Sequence, residues 1–461
     1  MQQKPDIVEI LRRTQEGEYC DLKEWDVKRI PRTVRSMLKK YGLENVCDKQ
    51  TPVNLDMELA DTFFKAGFEL ALELGMLCEP TERIVRISEE ELQNALKFAP
   101  SELHLGFGKD ARVMKARTPE DPYPCMFGAS LGITISEDIW PLLTEGIARQ
   151  QAVDLLEGGS LATVLGLDVL PGTPSETLLG YVQGRRHREI RNLAGRAGMP
   201  GIGNISAVTE FGQFCYGTKE NFYNTDLSLI LFPSELKVNY QTLHKVVHTL
   251  AMDGLVFAGS PAMIGGMPGP AEGAILSCIA CALLQYAVLQ CSVGGGEIYD
   301  IRYLSNVNRE GLWALSMTHQ ALSRNTHILT HGIANEVSGP GTEAFLYEIL
   351  VGVATIAASG ASFSTGPRAA GGKLTDYLSP LECRFCAEVA HAASGWELSK
   401  VNEMAKAFLP KYESAIKDPD VGKPVTEVWD LEKFQPKPEW EAMYRKVKKE
   451  AIDFGFPLDE F

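Results

Sequence analysis

The sequence predicts an α/β fold: a (β/α)8 TIM barrel with a helical N-terminal extension and a helical C-terminal cap. The first part is charge-rich and helix-patterned, and beyond it short apolar or small-residue runs alternate with longer helical patterns. The third observation is the number of those runs, which is eight. The expected divisions are 1–118 for the extension, 119–395 for the barrel and 396–461 for the cap.

In the extension, apolar residues recur every three or four positions from Met57 to Leu77, behind an N-cap candidate at Asn54 or Asp56. Ser88-Glu89-Glu90-Glu91 is a capping box that opens another helix. The eight runs are Pro124–Ser130, Leu161–Leu170, Met199–Ser206, Ser228–Ser234, Leu255–Met263, Ile298–Ser305, His327–Asn335 and Ala361–Pro367, with starts 27 to 43 residues apart. A strand buried on both faces must be apolar throughout, and each right-handed return needs a helix, so a βα unit takes about 30 residues or more. Eight units close the sheet into a barrel, with an open doubly wound sheet as the alternative. Ile139–Leu156, Glu272–Leu289 and Glu343–Ala357 carry the helical spacing the returns require. After Ser394 the pattern is amphipathic, broken at Lys423-Pro424 and at Gln435-Pro436-Lys437-Pro438.

The chain has 461 residues, with 45 Lys+Arg against 60 Asp+Glu, a net charge of −15 and 45% hydrophobic residues. Such a composition excludes disorder, and its charge repels a phosphate backbone, so no nucleic-acid partner is expected. Without a basic, apolar leader pattern or a charge-free span of about 20 apolar residues, no membrane association and a cytoplasmic location are expected. Ten dispersed cysteines in apolar company suit reduced thiols.

In a closed barrel the chemistry sits at the C-terminal ends of the strands. Polar residues there include Ser130, Asn204 with Ser206, Ser234 with Glu235, Arg302 with Tyr303, Ser305 with Asn306, His331 with Asn335, and Thr365 with Arg368. Glu272 and Glu343 open helices, where a carboxylate equally serves the helix dipole, and Arg302 equally serves to pair with Asp300. Ile264-Gly265-Gly266-Met267-Pro268-Gly269-Pro270-Ala271-Glu272 is a glycine cluster at a helix start, yet it has neither phosphate-loop nor dinucleotide spacing. Tight packing or ligand-close backbone is expected there, and Gly294-Gly295-Gly296 reads as a helix stop and turn. Cys278/Cys281 and Cys383/Cys386 are C-x-x-C pairs within helical apolar patterns, so a shared buried face rather than a metal site is expected. His327 and His331 lie in a strand-like run and lack the common face of helix ligands, leaving His331 as a proton donor, a hydrogen-bond anchor or a structural histidine. Arg185-Arg186-His187-Arg188, with Arg191 and Arg196, reads as a solvated helix face or a docking surface for an acidic partner.

At these positions the sequence resembles the monomethylamine:corrinoid protein methyltransferase family. The matching stretches are Ile135-Ser136-Glu137-Asp138, Gly203-Asn204-Ile205-Ser206-Ala207, Glu235-Leu236-Lys237, Ile264-Gly265-Gly266 leading to Glu272, Gly339-Pro340-Gly341-Thr342-Glu343 and Glu388-Val389-Ala390. Trp25-Asp26 and Phe64-Lys65-Ala66-Gly67-Phe68-Glu69 extend it into the N-terminal part. The resemblance implies a TIM barrel, a homo-oligomer, and transfer of a methyl group from a small-molecule donor to cob(I)alamin carried by a separate corrinoid protein, with no cofactor held by this chain.

The family's methylamine enzymes carry pyrrolysine before the Gly-Asn-Ile-Ser segment, where this chain has Ile202, and the glutamine that neighbours pyrrolysine aligns with Ile333. An aliphatic pair removes the chemistry that orients an amine. A cobalt(I) nucleophile needs an in-line path and a good leaving group, and an aryl methyl ether must expel a phenolate, which calls for an apolar slot and a donor at oxygen. Pyrrolysine-free relatives resemble O-demethylases of methoxylated aromatics. The slot is assigned to Ile202, Ile333, Met263 and Met267, with Asn204, Asn335 and Arg302 as further substrate-binding residues and His331, Glu272 and Tyr303 as candidate catalytic residues. A carboxylated ring would offer Arg302 or Arg368 an anion. A quaternary amine or betaine demethylase and an inactive corrinoid-protein-binding scaffold are the alternatives.

Overall fold

The apolar and small-residue runs pair in parallel around a ring in the computed structural model, which describes residues 6–130, 132–203 and 208–458. The staves are β1 (Met126–Ala129), β2 (Leu155–Leu156), β3 (Ile202–Gly203), β4 (Leu227–Leu231), β5 (Leu255–Ile264), β6 (Gly294–Asp300), β7 (Thr330–Ile333) and β8 (Phe363–Thr365). Every neighbouring pair is parallel; Phe363↔Met126 joins β8 to β1, and a bridge Leu156↔Gly201 joins the β2 and β3 segments, closing the barrel. The return helices are α1 (Trp140–Ala148), α2 (Pro174–Leu193), α3 (Glu210–Tyr216), α4 (Tyr240–Ala251), α5 (Ala271–Val288), α6 (Arg309–Asn325), α7 (Glu343–Ala358) and α8 (Pro380–Ala392).

Alternation along each strand sends one set of side chains inward and the other toward the helices. Met126, Leu155, Ile202, Leu227, Phe257, Val293, Leu329 and Phe363 form the dry barrel interior. An antiparallel hairpin, Glu102–Leu105 with Arg112–Lys115, adds Leu103, Leu105 and Met114 to that cluster. Outward residues such as Val256, Ala258 and Ile298 pack with α5 and with the helix Met57–Leu74 of the extension. That helix is capped by Asp56, whose side chain accepts from Leu59 N, while Asn54 braces Asp56 from outside. The extension is further joined to the barrel by a small sheet in which Lys237–Val238, after β4, pairs with Leu77–Cys78. By length and composition α5 is apolar enough to cross a membrane, yet all of its residues are buried within the fold. Helices Leu398–Phe408 and Pro438–Phe454 cover α7 and α8, where Tyr444 Oη donates to Glu388 at 2.6 Å.

Four local expectations are corrected. The second stave is Leu155–Leu156, not Leu161–Leu170; the latter contains a two-stranded hairpin, Thr163–Val164 with Leu167–Asp168, whose Leu165 and Leu167 are exposed. α1 therefore ends at Ala148 rather than running to Leu156. Gly294–Gly296 lies inside β6 and not in a turn: a methyl group at Gly295 would stand 2.4 Å from the carbonyl oxygen of His331, so close approach of β7 excludes a side chain there. Of the basic run, Arg185 is exposed, but His187, Arg191 and Arg196 are buried, with Arg191 paired to Asp226 at 3.0 Å and Arg196 to Asp110 at 3.3 Å. Both C-x-x-C pairs are buried in α5 and α8, and burial pushes their thiols up.

Candidate active site

Above the dry interior, the next inward residues leave a cavity of about 300 Å³ at the C-terminal ends of the strands. Leu229 and Leu231 of β4, Phe257 and Gly259 of β5 and Ile333 of β7 supply an apolar wall, with Ile133 from the loop after β1. Glu157 just past β2, Glu297 and Tyr299 of β6, His331 of β7, Thr365 of β8 and Arg368 supply the polar groups. Glu297/Tyr299 and His331/Ile333 face the cavity together because two residues separate them along a strand. Ile202 is fully buried beneath; a methyl group at Gly128 would stand 2.6 Å from its Cδ1.

Burial sets the charges. Glu297 is pushed up to about 7 by desolvation, partly opposed by the charge of Arg368 and a hydrogen bond with Asn335. Tyr299 Oη donates to Glu297 Oε2. Glu157 is raised well above the ordinary carboxylate range by burial and then by Glu297; among the described residues neither of its oxygens has a hydrogen-bond partner. A carboxyl in this setting carries a proton near neutral pH and can give it to an oxygen that is gaining charge. His331 is driven down to about 3 by burial and then by His319, so it is neutral. Its Nε2 lies 2.9 Å from Thr365 Oγ1, its Nδ1 has no partner among the described residues, and the Phe257 ring stands edge-on 4.6 Å away. His331 is thereby a hydrogen-bonding group, not a store of an acidic proton.

The candidates from the sequence divide into two groups. His331 and Ile333 line the cavity and Ile202 lies below it. Asn335 is fully buried and is not part of the lining; its N–H donates to Asn306 Oδ1 at 2.7 Å and its Oδ1 accepts from Arg368 Nη1 at 3.2 Å. Asn204 and Ser206 are outside the described residues. Glu272 accepts from Cys47 N at 3.0 Å at the start of α5, serving the junction with the extension instead of the cavity. Arg302 is engaged by Asp300 at 2.5 Å and Glu310 at 2.6 Å, and Tyr303 packs beside Arg302 and Lys417; neither reaches the cavity wall. Met267 lines a separate surface hollow with Pro31 and Arg35, and Met263, whose N–H donates to Glu235 at 2.9 Å, is not part of the lining. The turn after β6 carries Arg302 and Tyr303 outward and the loop after β5 carries Met267 outward, while Met263 within β5 and Glu272 within α5 face away from the cavity.

Glu157, Glu297, Tyr299 and Phe257 were not among the candidates. Glu157 follows a two-residue strand too short to register as an apolar run, and Glu297 follows three glycines read as a turn. The Glu-x-Tyr spacing of residues 297 and 299 is the signal that marks an inward polar pair once 294–300 is a strand.

The chain matches the family model described as monomethylamine methyltransferase MtmB over residues 5–456. It is 28% identical over 454 residues to MtmB of Methanosarcina mazei and 29% identical over 454 residues to MtmB2 of Methanosarcina barkeri, covering 98% of both chains in each case. The crystal structure of the Methanosarcina barkeri monomethylamine methyltransferase superposes with a TM-score of 0.93 at 27% identity, covering 99% of both chains, and that of a hydroxylamine MtmB complex does so equally well. With the match running through extension, barrel and cap, the chain belongs to the monomethylamine methyltransferase MtmB family.

Proposed function

We propose that the protein moves the methyl group of a methoxylated aromatic compound to the cob(I)alamin of a separate corrinoid protein and releases the phenol. The observation that carries this reading is a ring-sized apolar wall (Leu229, Leu231, Phe257, Ile333) facing the buried carboxyl of Glu297, which burial pushes up to about 7. The partner supplies the cobalt nucleophile. The residues of this chain hold the ring, exclude water and deliver a proton to the ether oxygen as the carbon–oxygen bond breaks, so that phenol and not phenolate leaves. Glu297 is the proton donor, Tyr299 orients it, and neutral His331, fixed by Thr365, directs a hydrogen bond into the cavity. The family's named substrate is monomethylamine, but Ile202 and Ile333 give this chain an apolar floor and wall in place of the amine-orienting pair that the resemblance implies.

A second reading has its own observation. Two buried carboxyls beside the rings of Phe257 and Tyr299 would ionise around a permanent cation, which suits a quaternary amine or betaine. Incubating the protein with reduced corrinoid protein and a donor panel, and following cob(I)alamin methylation by absorbance, separates the readings. Turnover of methoxybenzoates but not of betaines is expected; betaine-only turnover replaces the first reading with the second. Binding of the corrinoid protein without methylation by any donor leaves a scaffold.

A further inference from the structure

Two arginines end strands next to the cavity, and they stand in different states. Arg302 is held by two carboxylates and points away. Arg368 lines the cavity and makes no ion pair among the described residues. Its Nη1 donates to the neutral amide of Asn335, its guanidinium lies 5.2 Å from the Tyr299 ring centroid, and its backbone N–H donates to Glu336 Oε2 at 2.8 Å. The stem packs against Gly372, where a methyl group would stand 3.2 Å from Nε. The side chain is thus fixed by stacking and by one neutral hydrogen bond, with further N–H donors left for a planar acceptor.

The charge balance of the cavity points the same way. Among the described lining residues Arg368 is the only group with a permanent charge: burial holds Glu157 protonated and His331 neutral, and Glu297 keeps its proton below about pH 7. A half-buried cation without an ion-pair partner at a cavity wall favours an anionic ligand.

We propose that the natural methyl donor is a ring acid, a methoxylated aromatic carboxylate whose carboxylate pairs with Arg368 at the cavity mouth. The proposal rests on the aryl methyl ether reading and adds the anion. It is tested on the full chain without the corrinoid protein, by calorimetric titration at pH 6, where Glu297 keeps its proton, with 4-hydroxybenzoate, phenol and glycine betaine. Wild type, Arg368→Met and Arg368→Lys are compared, with melting temperatures as a check on folding.

Hydroxybenzoate is expected to bind wild type more tightly than phenol does. Arg368→Met should weaken it about 10- to 100-fold, as expected for loss of a charge-assisted pair, Arg368→Lys should restore part of the loss, and phenol should bind all variants alike. Equal affinity of wild type for hydroxybenzoate and phenol, or an unchanged hydroxybenzoate affinity in Arg368→Met, overturns the anion site and leaves the aryl ether reading standing. Binding of betaine and of no ring compound overturns that reading and the ring acid with it.

Discussion

Glu297 combines burial, a tyrosine donor and a nearby arginine, and burial wins: its proton is held to about pH 7. If that proton goes to the leaving oxygen, the single-turnover rate of methyl transfer should fall as pH rises through about 7, since the ionised carboxylate has nothing to give. Glu297→Gln keeps the shape but removes the acid. It should slow transfer by about 10²- to 10⁴-fold, the usual worth of general acid catalysis, and abolish this limb of the pH profile. Stopped-flow absorbance of the corrinoid protein measures both. His331 was legible as a strand-end residue from its place in the seventh run, but its neutrality was not, because that comes from burial against Phe257, Phe363 and His319. Local sequence does not carry that burial.

At the level of elements, β1 and β3 meet inside the barrel through Gly128 and Ile202. A methyl group at Gly128 would stand 2.6 Å from Ile202 Cδ1 and 2.9 Å from Phe363 Cζ. Gly128→Ala should therefore destabilise by about 1–3 kcal/mol, the usual cost of overpacking. Ile202→Ala alone should cost about 2–5 kcal/mol through the cavity it opens. Because each change relieves the other, the double variant should lose clearly less than the sum in denaturant titrations. Two return helices were readable to within one residue at each end: α5 was expected at Glu272–Leu289 and lies at Ala271–Val288, and α7 was expected at Glu343–Ala357 and lies at Glu343–Ala358. Both are long and apolar, so their pattern is unmistakable. β2 was not readable, because a two-residue strand draws its pairing from β1 and Gly201 rather than from its own composition.

Across the whole molecule, several carboxyls are raised by burial besides Glu297: Glu336 to about 8, Glu348 to about 7 and Glu382 to about 7, from an ordinary 4.5. The folded state then holds protons that the unfolded chain has lost, which costs stability as pH rises through about 8; the buried neutral His187, His319 and His331 oppose this only up to their ordinary 6.5, so stability should fall from about pH 6.5 to 8. Asp154, held low by His391 and Arg112, works in the opposite sense, and its contribution is lost only as pH drops below its ordinary 3.8. Melting temperatures should thus decline between about pH 6.5 and 8. Glu336→Gln, whose lost Oε1 has no partner among the described residues, should flatten the decline toward pH 8; a melting temperature that rises over this range would contradict the sign. By itself the sequence determined the eightfold βα alternation, the acidic charge, the helical extension and cap, and the placing of His331 and Ile333 at strand ends, since periodicity and composition are properties of neighbours along the chain. Only the tertiary structure decided that Glu157, Glu297 and Arg368 share one cavity while Glu272, Arg302, Tyr303 and Met267 turn away from it. Which strand-end residue faces inward depends on register and on where each turn begins, and both are set by the strands on either side.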